Sequence, residues 1–315
     1  MKLSARWGAY ALRAAFWLFP RTPRQLTFRG GDIAPIRMTV TTRHGPVRCD
    51  VYRAPETGPG TPPPPVYVNF HGGAFIVREP RQDAHACRFI AATTGAVVIN
   101  VDYATAPAVQ YPVAEQQAAD VLAWVQQHGR SRGWNTEEIV VGGFSAGAKL
   151  AVNVCQQIRD DGGRMPLGLV ACYPALNMTL PPGSRLETVP KARWAGRPGP
   201  AVAPWLIKLM YDSYFAQAMR HHEPLASPEL DTDLAAFPMT LVLTGALDSV
   251  AAEAKRFAAS LARSGVDVRH RSFENSDHGM THNLPAEVAR EALELVAEHI
   301  AQAFATHRSS GFFAS

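Results

Sequence analysis

The chain has 315 residues, 47% of them hydrophobic, which is enough for one large α/β core with an appendage or for two ordinary domains. Its formal charge of +4 is uneven: six basic residues precede the first acid, so the first thirty residues carry +6 and the remainder nets −2. This local excess gives little support to a nucleic-acid partner, and the sequence has no repeats, zinc spacings or phosphate loops. We therefore predict a globular protein without nucleic acid, metal or cofactor.

The first predicted element is an amphipathic helix in the N-terminal stretch "WGAYALRAAFWLFP". Arg13 interrupts the apolar run, Pro20 ends it, and the run is far shorter than the ~20 residues that span a bilayer, which disfavours a signal peptide or an anchor. On a helical wheel a basic stripe adjoins an apolar arc; the stripe is Lys2, Arg6 and Arg13, and the arc is Leu3, Trp7, Tyr10, Ala14, Trp17 and Leu18. We favour a helix packed on the body of the protein; the alternative is contact with an anionic membrane surface.

Beyond this helix, short apolar runs alternate with helical patterns. Strands are predicted at 38–43, 47–54, 65–70, 96–102, 138–144, 168–173, 239–244 and 266–273, and helices near 81–94, 113–129, 147–160, 250–264 and 285–305. Several strands are almost continuously apolar, as expected of parallel strands covered on both faces, and the alternation predicts right-handed crossovers. The first two strands, joined by "RHGP", are expected to form an antiparallel hairpin at one edge, and "TGPGTPPPP" an extended loop.

Residues 176–230 break the alternation. They are rich in Pro, Gly and Arg and then turn helical through "APWLIKLMYDSYFAQAM". An insertion of this size between two strands is usually functional, and we expect it to form a lid with the N-terminal helix. The predicted division is a catalytic domain of residues 31–175 and 231–315 and a helical cap of residues 1–30 and 176–230. An apolar underside of this lid, or ordinary helix packing, would explain Trp205, Leu206, Leu209, Met210, Tyr214 and Phe215.

One serine lies at a predicted strand-to-helix turn, a position that suits a nucleophile. Ser145 lies in "GFSAG", between a predicted strand and a predicted helix. A sharp strand-to-helix turn exposes its central residue above the sheet, and the residues two positions away must be small for the turn to close. The pattern alone is weak, because a glycine-rich turn that only packs closely would look the same.

A second glycine-rich segment follows the third predicted strand, in "VNFHGGAFIV". Consecutive glycines can turn backbone N–H groups toward a ligand. The N–H groups of Gly72 and Gly73, with that of Ala146, are therefore candidate donors to a developing oxyanion. A tight turn after a buried strand is the competing interpretation, but the adjacent strand positions of the two segments favour the catalytic one.

A serine at its normal pKa needs a base, and the base needs a carboxylate to orient it. Asp248 in "VLTGALDSV" follows the predicted strand 239–244, and His278 in "SFENSDHGM" follows the strand 266–273. Both are then expected at the carboxyl edge of the sheet, with Ser145. Asp277 is badly placed to hold the ring of its neighbour, and the other histidines lack a matching strand-end position.

The segments "HGGAF", "NVDYATAP", "GFSAG" and "DHGM", with the one around Asp248, resemble the hormone-sensitive-lipase-like esterases, also called bacterial family IV, of the α/β-hydrolase superfamily. The resemblance runs from about residue 47 to 305. It implies an α/β-hydrolase fold, with a mostly parallel eight-stranded sheet, helices on both faces and a helical cap. It also implies ester hydrolysis, with Ser145 as nucleophile, His278 as base and Asp248 as orienter. The oxyanion donors carried over are Gly72, Gly73 and Ala146.

The chain departs from the family at several positions. Phe144 stands where the family usually has an acid, and Ala148 and Lys149 stand where it has Gly-Asn. The usual "DYRLAPE" is "DYATAPA", and Ala74 replaces a frequent third glycine. None of these changes removes a predicted catalytic group. They mean that the residues lining the substrate pocket, and those that hold the site in place, cannot be carried over from the family.

These patterns predict a serine hydrolase that cleaves small-molecule carboxylic esters with short to medium acyl chains or an aryl group, through an acyl-enzyme. An amidase, formamidase or peptidase with the same triad stays open, and His278 disfavours a non-catalytic binding protein. We expect a cytoplasmic protein, with a peripheral membrane location as the alternative and a homo-oligomer as an option. Four scattered cysteines are expected to be reduced: Cys49, Cys87, Cys155 and Cys172.

Overall fold

Eight β-strands form the centre of the molecule in a computed structural model that describes residues 1–18, 22–55, 60–188 and 201–312. The strands are β1 (Ile36–Thr42), β2 (Gly45–Tyr52), β3 (Val66–Phe70), β4 (Val97–Asp102), β5 (Ile139–Phe144), β6 (Gly168–Cys172), β7 (Met239–Gly245) and β8 (Val268–Phe273). Strands β3, β5 and β6 are buried along their whole length, as their continuous apolar sequences require.

The strand order is β1-β2-β4-β3-β5-β6-β7-β8. Strand β2 is antiparallel to both of its neighbours, and every other neighbouring pair from β4 to β8 is parallel. The predicted edge hairpin and the predicted mostly parallel eight-stranded sheet are thus confirmed. Because β3 pairs with β5, the loops that follow these two strands lie side by side at the carboxyl edge.

Helices cover both faces of this sheet. They are α1 (Leu3–Leu18), α2 (Ala84–Thr94), α3 (Val113–His128), α4 (Ala146–Asp160), α5 (Pro204–Ser213), α6 (Ala251–Arg263) and α7 (Ala286–Phe312). Buried side chains of α2 and α7 form one apolar core, and those of α3, α4 and α6 form the other. Helix α7 continues beyond its predicted end at residue 305. No helix of the described residues is long and apolar enough to cross a membrane.

Helix α1 packs against α5, but not through the face that its sequence pattern suggests. Ala5 and Ala9 are buried, and Gly8 lies so close to α5 that a Cβ there would come 3.0 Å from Leu209. The apolar arc that contains Trp7 is exposed. Small residues thus make the close helix contact, and the large residues of the predicted apolar arc face outward. Residues 19–21, which include the predicted helix end at Pro20, lie outside the described residues.

The helical pattern predicted to run through residue 219 is wrong beyond Ser213, where α5 ends. Tyr214 and Phe215 turn inward and pack around Phe75, with ring centroids 4.6 Å and 5.3 Å from it. Burial of these two rings outweighs the local helical tendency of the segment. Residues 189–200 of the predicted cap and residues 56–59 of the predicted extended loop lie outside the described residues. The four cysteines are buried free thiols.

Candidate active site

Ser145 occupies a sharp turn between β5 and α4. Its backbone has φ 55° and ψ −118°, a strained conformation for a residue with a side chain, and its N–H donates to the carbonyl of Cys172 at 2.9 Å. A Cβ at Gly147 would lie 1.9 Å from the carbonyl oxygen of Phe70, so the close approach of β3 and α4 requires glycine. The turn therefore holds the serine at the carboxyl edge of the sheet, as predicted from the sequence.

Three distant segments meet at this serine. The Oγ of Ser145 lies 2.7 Å from Nε2 of His278, and Nδ1 of the same ring lies 2.8 Å from Oδ2 of Asp248. Asp248 is buried, and its other oxygen accepts the backbone N–H of Val250 at 3.1 Å. The carboxylate can thus hold the ring with Nδ1 protonated, which leaves Nε2 free to accept the serine proton.

The surroundings of His278 decide how basic its ring is. Burial alone would lower the pKa of His278, but the charge and hydrogen bond of Asp248, with a smaller contribution from Asp277, outweigh it, so the pKa is raised above its ordinary value. Asp277 does not touch the ring: its carboxylate accepts the backbone N–H groups of His278 and Ala201. It fixes the loop rather than the imidazole.

The glycine loop after β3 reaches the same place. A Cβ on Gly72 would lie 3.5 Å from the Cβ of Ser145. Gly73 has φ 127°, and Ala74 and Phe75 also have positive φ, so this loop is tightly coiled. Gly72, Gly73 and Ala146 all line the cavity into which Ser145 opens. The structure thus brings together every residue that the sequence singled out for this site.

A side chain that no sequence pattern singles out supports this loop. Gln82 donates from Nε2 to the carbonyl of Gly72 at 2.9 Å, and Nδ1 of His71 lies 2.7 Å from the same oxygen. Because the carbonyl and N–H of a trans peptide point in opposite directions, holding the Gly72 carbonyl also fixes the direction of the Gly73 N–H. A single glutamine in a helical pattern carries no signal for such a role.

A second histidine–carboxylate pair lies beside the first. His282 places Nε2 3.0 Å from Oδ1 of the buried Asp83, and its Nδ1 lies 3.1 Å from the hydroxyl of Tyr173. Tyr173 also packs edge-on against His278, with centroids 4.9 Å apart. Phe144, which stands where the resemblance leads us to expect an acid, packs edge-on against His282 at 4.8 Å. Both nitrogens of His282 thus have partners other than Ser145.

Lys149, which also departs from the pattern of the family that the motifs resemble, is fully buried beside the insertion of residues 176–230. Its ammonium lies 2.9 Å from Oε1 of Glu115 and donates to Asn153 and to the carbonyl of Leu225. Burial lowers the pKa of Lys149, and the carboxylate of Glu115 opposes this. Tyr214 donates its hydroxyl to the other oxygen of Glu115 at 2.5 Å. Lys149 therefore belongs to a buried polar network that joins α3, α4 and the segment after α5.

A cavity of about 780 Å³ opens above Ser145. Helix α1 and helix α5 supply apolar lining residues: Leu12, Phe16, Trp17, Trp205, Leu206, Ile207 and Met210. Charged side chains also line the cavity, among them Glu79 and Arg81, which pair with each other. A site of this size and lining suits a mostly apolar small molecule whose reactive group reaches Ser145.

Comparison with known proteins places the chain in a class. A family model described as the alpha/beta hydrolase fold matches residues 67–282, and the chain belongs to this family. Esterase LipI of Mycobacterium tuberculosis is 30% identical over 285 residues, which cover 88% of this chain and 83% of LipI. The solved esterase of Pyrobaculum calidifontis aligns with a TM-score of 0.78 and 28% identity, over 96% of this chain and 93% of that one.

Human hormone-sensitive lipase is 33% identical over 108 residues, 34% of this chain and 10% of the lipase. Within the α/β-hydrolases the chain is a hormone-sensitive-lipase-like esterase of bacterial family IV, as its motifs predicted. It is a hydrolase of the carboxylesterase and lipase type.

Proposed function

We propose that this chain hydrolyses carboxylic esters with Ser145 as nucleophile, His278 as general base and Asp248 as the group that orients the histidine. The observation that carries this proposal is the continuous hydrogen-bonded path from Ser145 Oγ through the imidazole to the buried carboxylate, at 2.7 Å and 2.8 Å. The strained backbone of Ser145 at the open edge of the sheet supports the same role.

In the proposed reaction, Ser145 Oγ attacks the ester carbonyl carbon while its proton moves to His278 Nε2. The resulting oxyanion accepts hydrogen bonds from the backbone N–H groups of Gly72, Gly73 and Ala146. The C–O bond to the alcohol then breaks, and the alcohol leaves with the proton from Nε2. A water molecule repeats the sequence on the acyl-serine, which releases the acid and restores the hydroxyl.

The cavity supports a substrate with a short to medium acyl chain or an aryl group. Its volume of about 780 Å³ exceeds the needs of an acetyl group, and its α1 and α5 lining is mostly apolar. We propose that residues 1–30 and 176–230 act as the cap and residues 31–175 and 231–315 as the catalytic domain. The contact between α1 and α5 above Ser145 supports this division.

Covalent labelling tests the nucleophile without knowledge of the natural substrate. We expect a fluorophosphonate probe to label Ser145, and Ser145→Ala to lose labelling and at least about 10³-fold in hydrolysis of p-nitrophenyl acetate, butyrate and octanoate. Ser131→Ala, an exposed serine on the turn after α3, is the matched control and should retain both. Labelling that maps elsewhere, or equal hydrolysis by parent and Ser145→Ala, would contradict the proposal.

A p-nitroanilide with the same butyryl group separates esterase from amidase activity, because only the leaving atom differs. We expect the parent to prefer the ester by at least about 10²-fold in kcat/KM, beyond the difference in uncatalysed rates. Comparable values for ester and anilide would instead assign the chain to the amidases.

A further inference from the structure

Helix α1 turns four large apolar side chains away from the protein. Leu3, Trp7, Trp17 and Leu18 have exposed fractions of 69%, 66%, 70% and 60%. At 100° per residue these positions share one face of the helix, opposite the face through which Ala5 and its neighbours pack. A helix that served only to cover the core would bury these side chains, so this apolar face requires another partner.

This exposed face is continuous with the mouth of the active-site cavity. Trp17 lines the cavity and is also largely exposed, and Trp205 on α5 does the same, with an exposed fraction of 60%. The two tryptophans therefore stand at the rim, where the cavity meets the surroundings. A molecule that covered the outer face of α1 would lie directly over the entrance to Ser145.

The charge next to this face indicates what covers it. Lys2 and Arg6 are exposed along one side of the apolar face, and within the described residues neither forms an ion pair with a carboxylate. No acid occurs before Asp32. A symmetric contact between two copies of this chain through α1 would offer Lys2 and Arg6 no carboxylate from the other α1, because this helix contains no acid, which disfavours a dimer. Tryptophan rings beside lysine and arginine instead match the interface of an anionic lipid bilayer.

We propose that the outer face of α1 binds the surface of anionic lipid membranes and holds the cavity entrance against the lipid. The apolar side chains enter the acyl boundary, and Lys2 and Arg6 meet the phosphates of anionic headgroups. The proposal of membrane binding depends only on the exposed surface of α1 and not on catalytic activity. The consequence that esters enter from the lipid phase rests on the proposed function.

Vesicle sedimentation tests the binding step. We expect the full chain, and equally the inactive Ser145→Ala, to bind vesicles with about one third phosphatidylglycerol at least tenfold more tightly than vesicles of phosphatidylcholine alone. Raising NaCl to about 0.5 M should weaken the binding to anionic vesicles, because the charge contribution is screened. Use of Ser145→Ala separates a failure of this proposal from a failure of the catalytic one.

Two double variants test the residues. Leu3→Gln with Trp7→Gln, and Lys2→Gln with Arg6→Gln, should each weaken binding to anionic vesicles at least tenfold while hydrolysis of a water-soluble ester is unchanged, which also shows that the variants fold. Ile36→Gln on β1, where the side chain is 71% exposed, is the matched control and should bind as the parent does. The proposal is overturned if the parent does not bind anionic vesicles, if the two double variants bind as tightly as the parent, or if α1 proves to join two copies in solution.

Discussion

In the mechanism that we propose, the hydrogen bond between Asp248 and His278 sets the pH range in which His278 can activate Ser145. The imidazole must be neutral to accept the serine proton, and its pKa is raised above the ordinary value. Activity should therefore rise with pH through a pKa above about 6.5. Asp248→Asn removes the charge, so we expect the acidic limb of log kcat/KM to move to lower pH and the rate to fall by about 10³- to 10⁴-fold. A pH–rate profile of both proteins measures the two effects together.

Asp277→Asn is the internal control for this profile. Asp277 is adjacent to His278, but among the described residues its carboxylate accepts only backbone N–H groups, so its removal should move the acidic limb less and keep most of the rate. A larger loss in Asp277→Asn than in Asp248→Asn would mean that the wrong carboxylate has been assigned to the ring.

Some residues of the site could be predicted from the sequence and others could not. Ser145, Asp248 and His278 each follow a predicted strand, so the parallel sheet alone was enough to place them at one edge. Gln82 and Asp83 act through contacts with Gly72 and His282, which lie elsewhere along the chain. No local pattern encodes such contacts, and only the folded arrangement shows them.

At the scale of secondary-structure elements, the Lys149–Glu115 pair joins α4 to α3. Both side chains are fully buried, so removal of one partner leaves an uncompensated charge. We expect Lys149→Met to lower the free energy of unfolding by about 3–5 kcal/mol. Urea unfolding, followed by circular dichroism, measures the change.

The double variant distinguishes a charge effect from simple loss of packing. Adding Glu115→Gln to Lys149→Met removes the unpaired carboxylate but keeps an acceptor for Tyr214, so part of the lost stability should return. Lys208→Met is the matched control, because Lys208 is exposed and pairs with Asp212 at the surface; it should cost less than about 1 kcal/mol. Additive losses in the double variant would show that the pair does not act as a unit.

The ends of helices and strands were predictable from the sequence where burial of a continuous apolar run decides them. The buried strands are continuous apolar runs, and their observed ends lie within two residues of the predicted ones. The end of α5 was missed because Tyr214 and Phe215 bury their rings against Phe75, a contact that local helical tendency cannot report. The pattern of α1 gave its amphipathicity, but not which arc faces the protein, because the small residues opposite the apolar arc allow a closer contact with α5.

For the whole molecule, the strand order is what converts separate motifs into one site. Strand β4 lies outside β3, so β3 and β5 become neighbours and their loops carry the glycines and Ser145 side by side. Strands β7 and β8 then bring Asp248 and His278 to the same edge from the other direction along the sheet. From the sequence we expected a parallel sheet with the two glycine-rich segments at adjacent strand positions, whereas the full strand order is known only from the folded sheet.

Buried histidines make the stability of this fold depend on pH. His299 on α7 is 3% exposed, and burial lowers its pKa to about 4, as it does for His85. The unfolded chain then binds more protons than the folded one between pH 4 and about 6.5, so stability is full above about 6.5 and is lost as the pH falls. At pH 5, protonation of His299 in the unfolded chain should lower the free energy of unfolding by about 2 kcal/mol relative to neutral pH.

Substitution of His299 isolates its share of this loss. His299→Leu removes the titrating ring while it keeps an apolar side chain in the core, so the drop in the free energy of unfolding between pH 7 and pH 5 should shrink by about 2 kcal/mol. His307→Leu on the exposed face of the same helix should leave the drop unchanged. Urea titrations of the three proteins at both pH values provide the comparison. An equal drop in the parent and in His299→Leu would mean that this ring is protonated in the folded protein, so that acid acts on the fold through other groups.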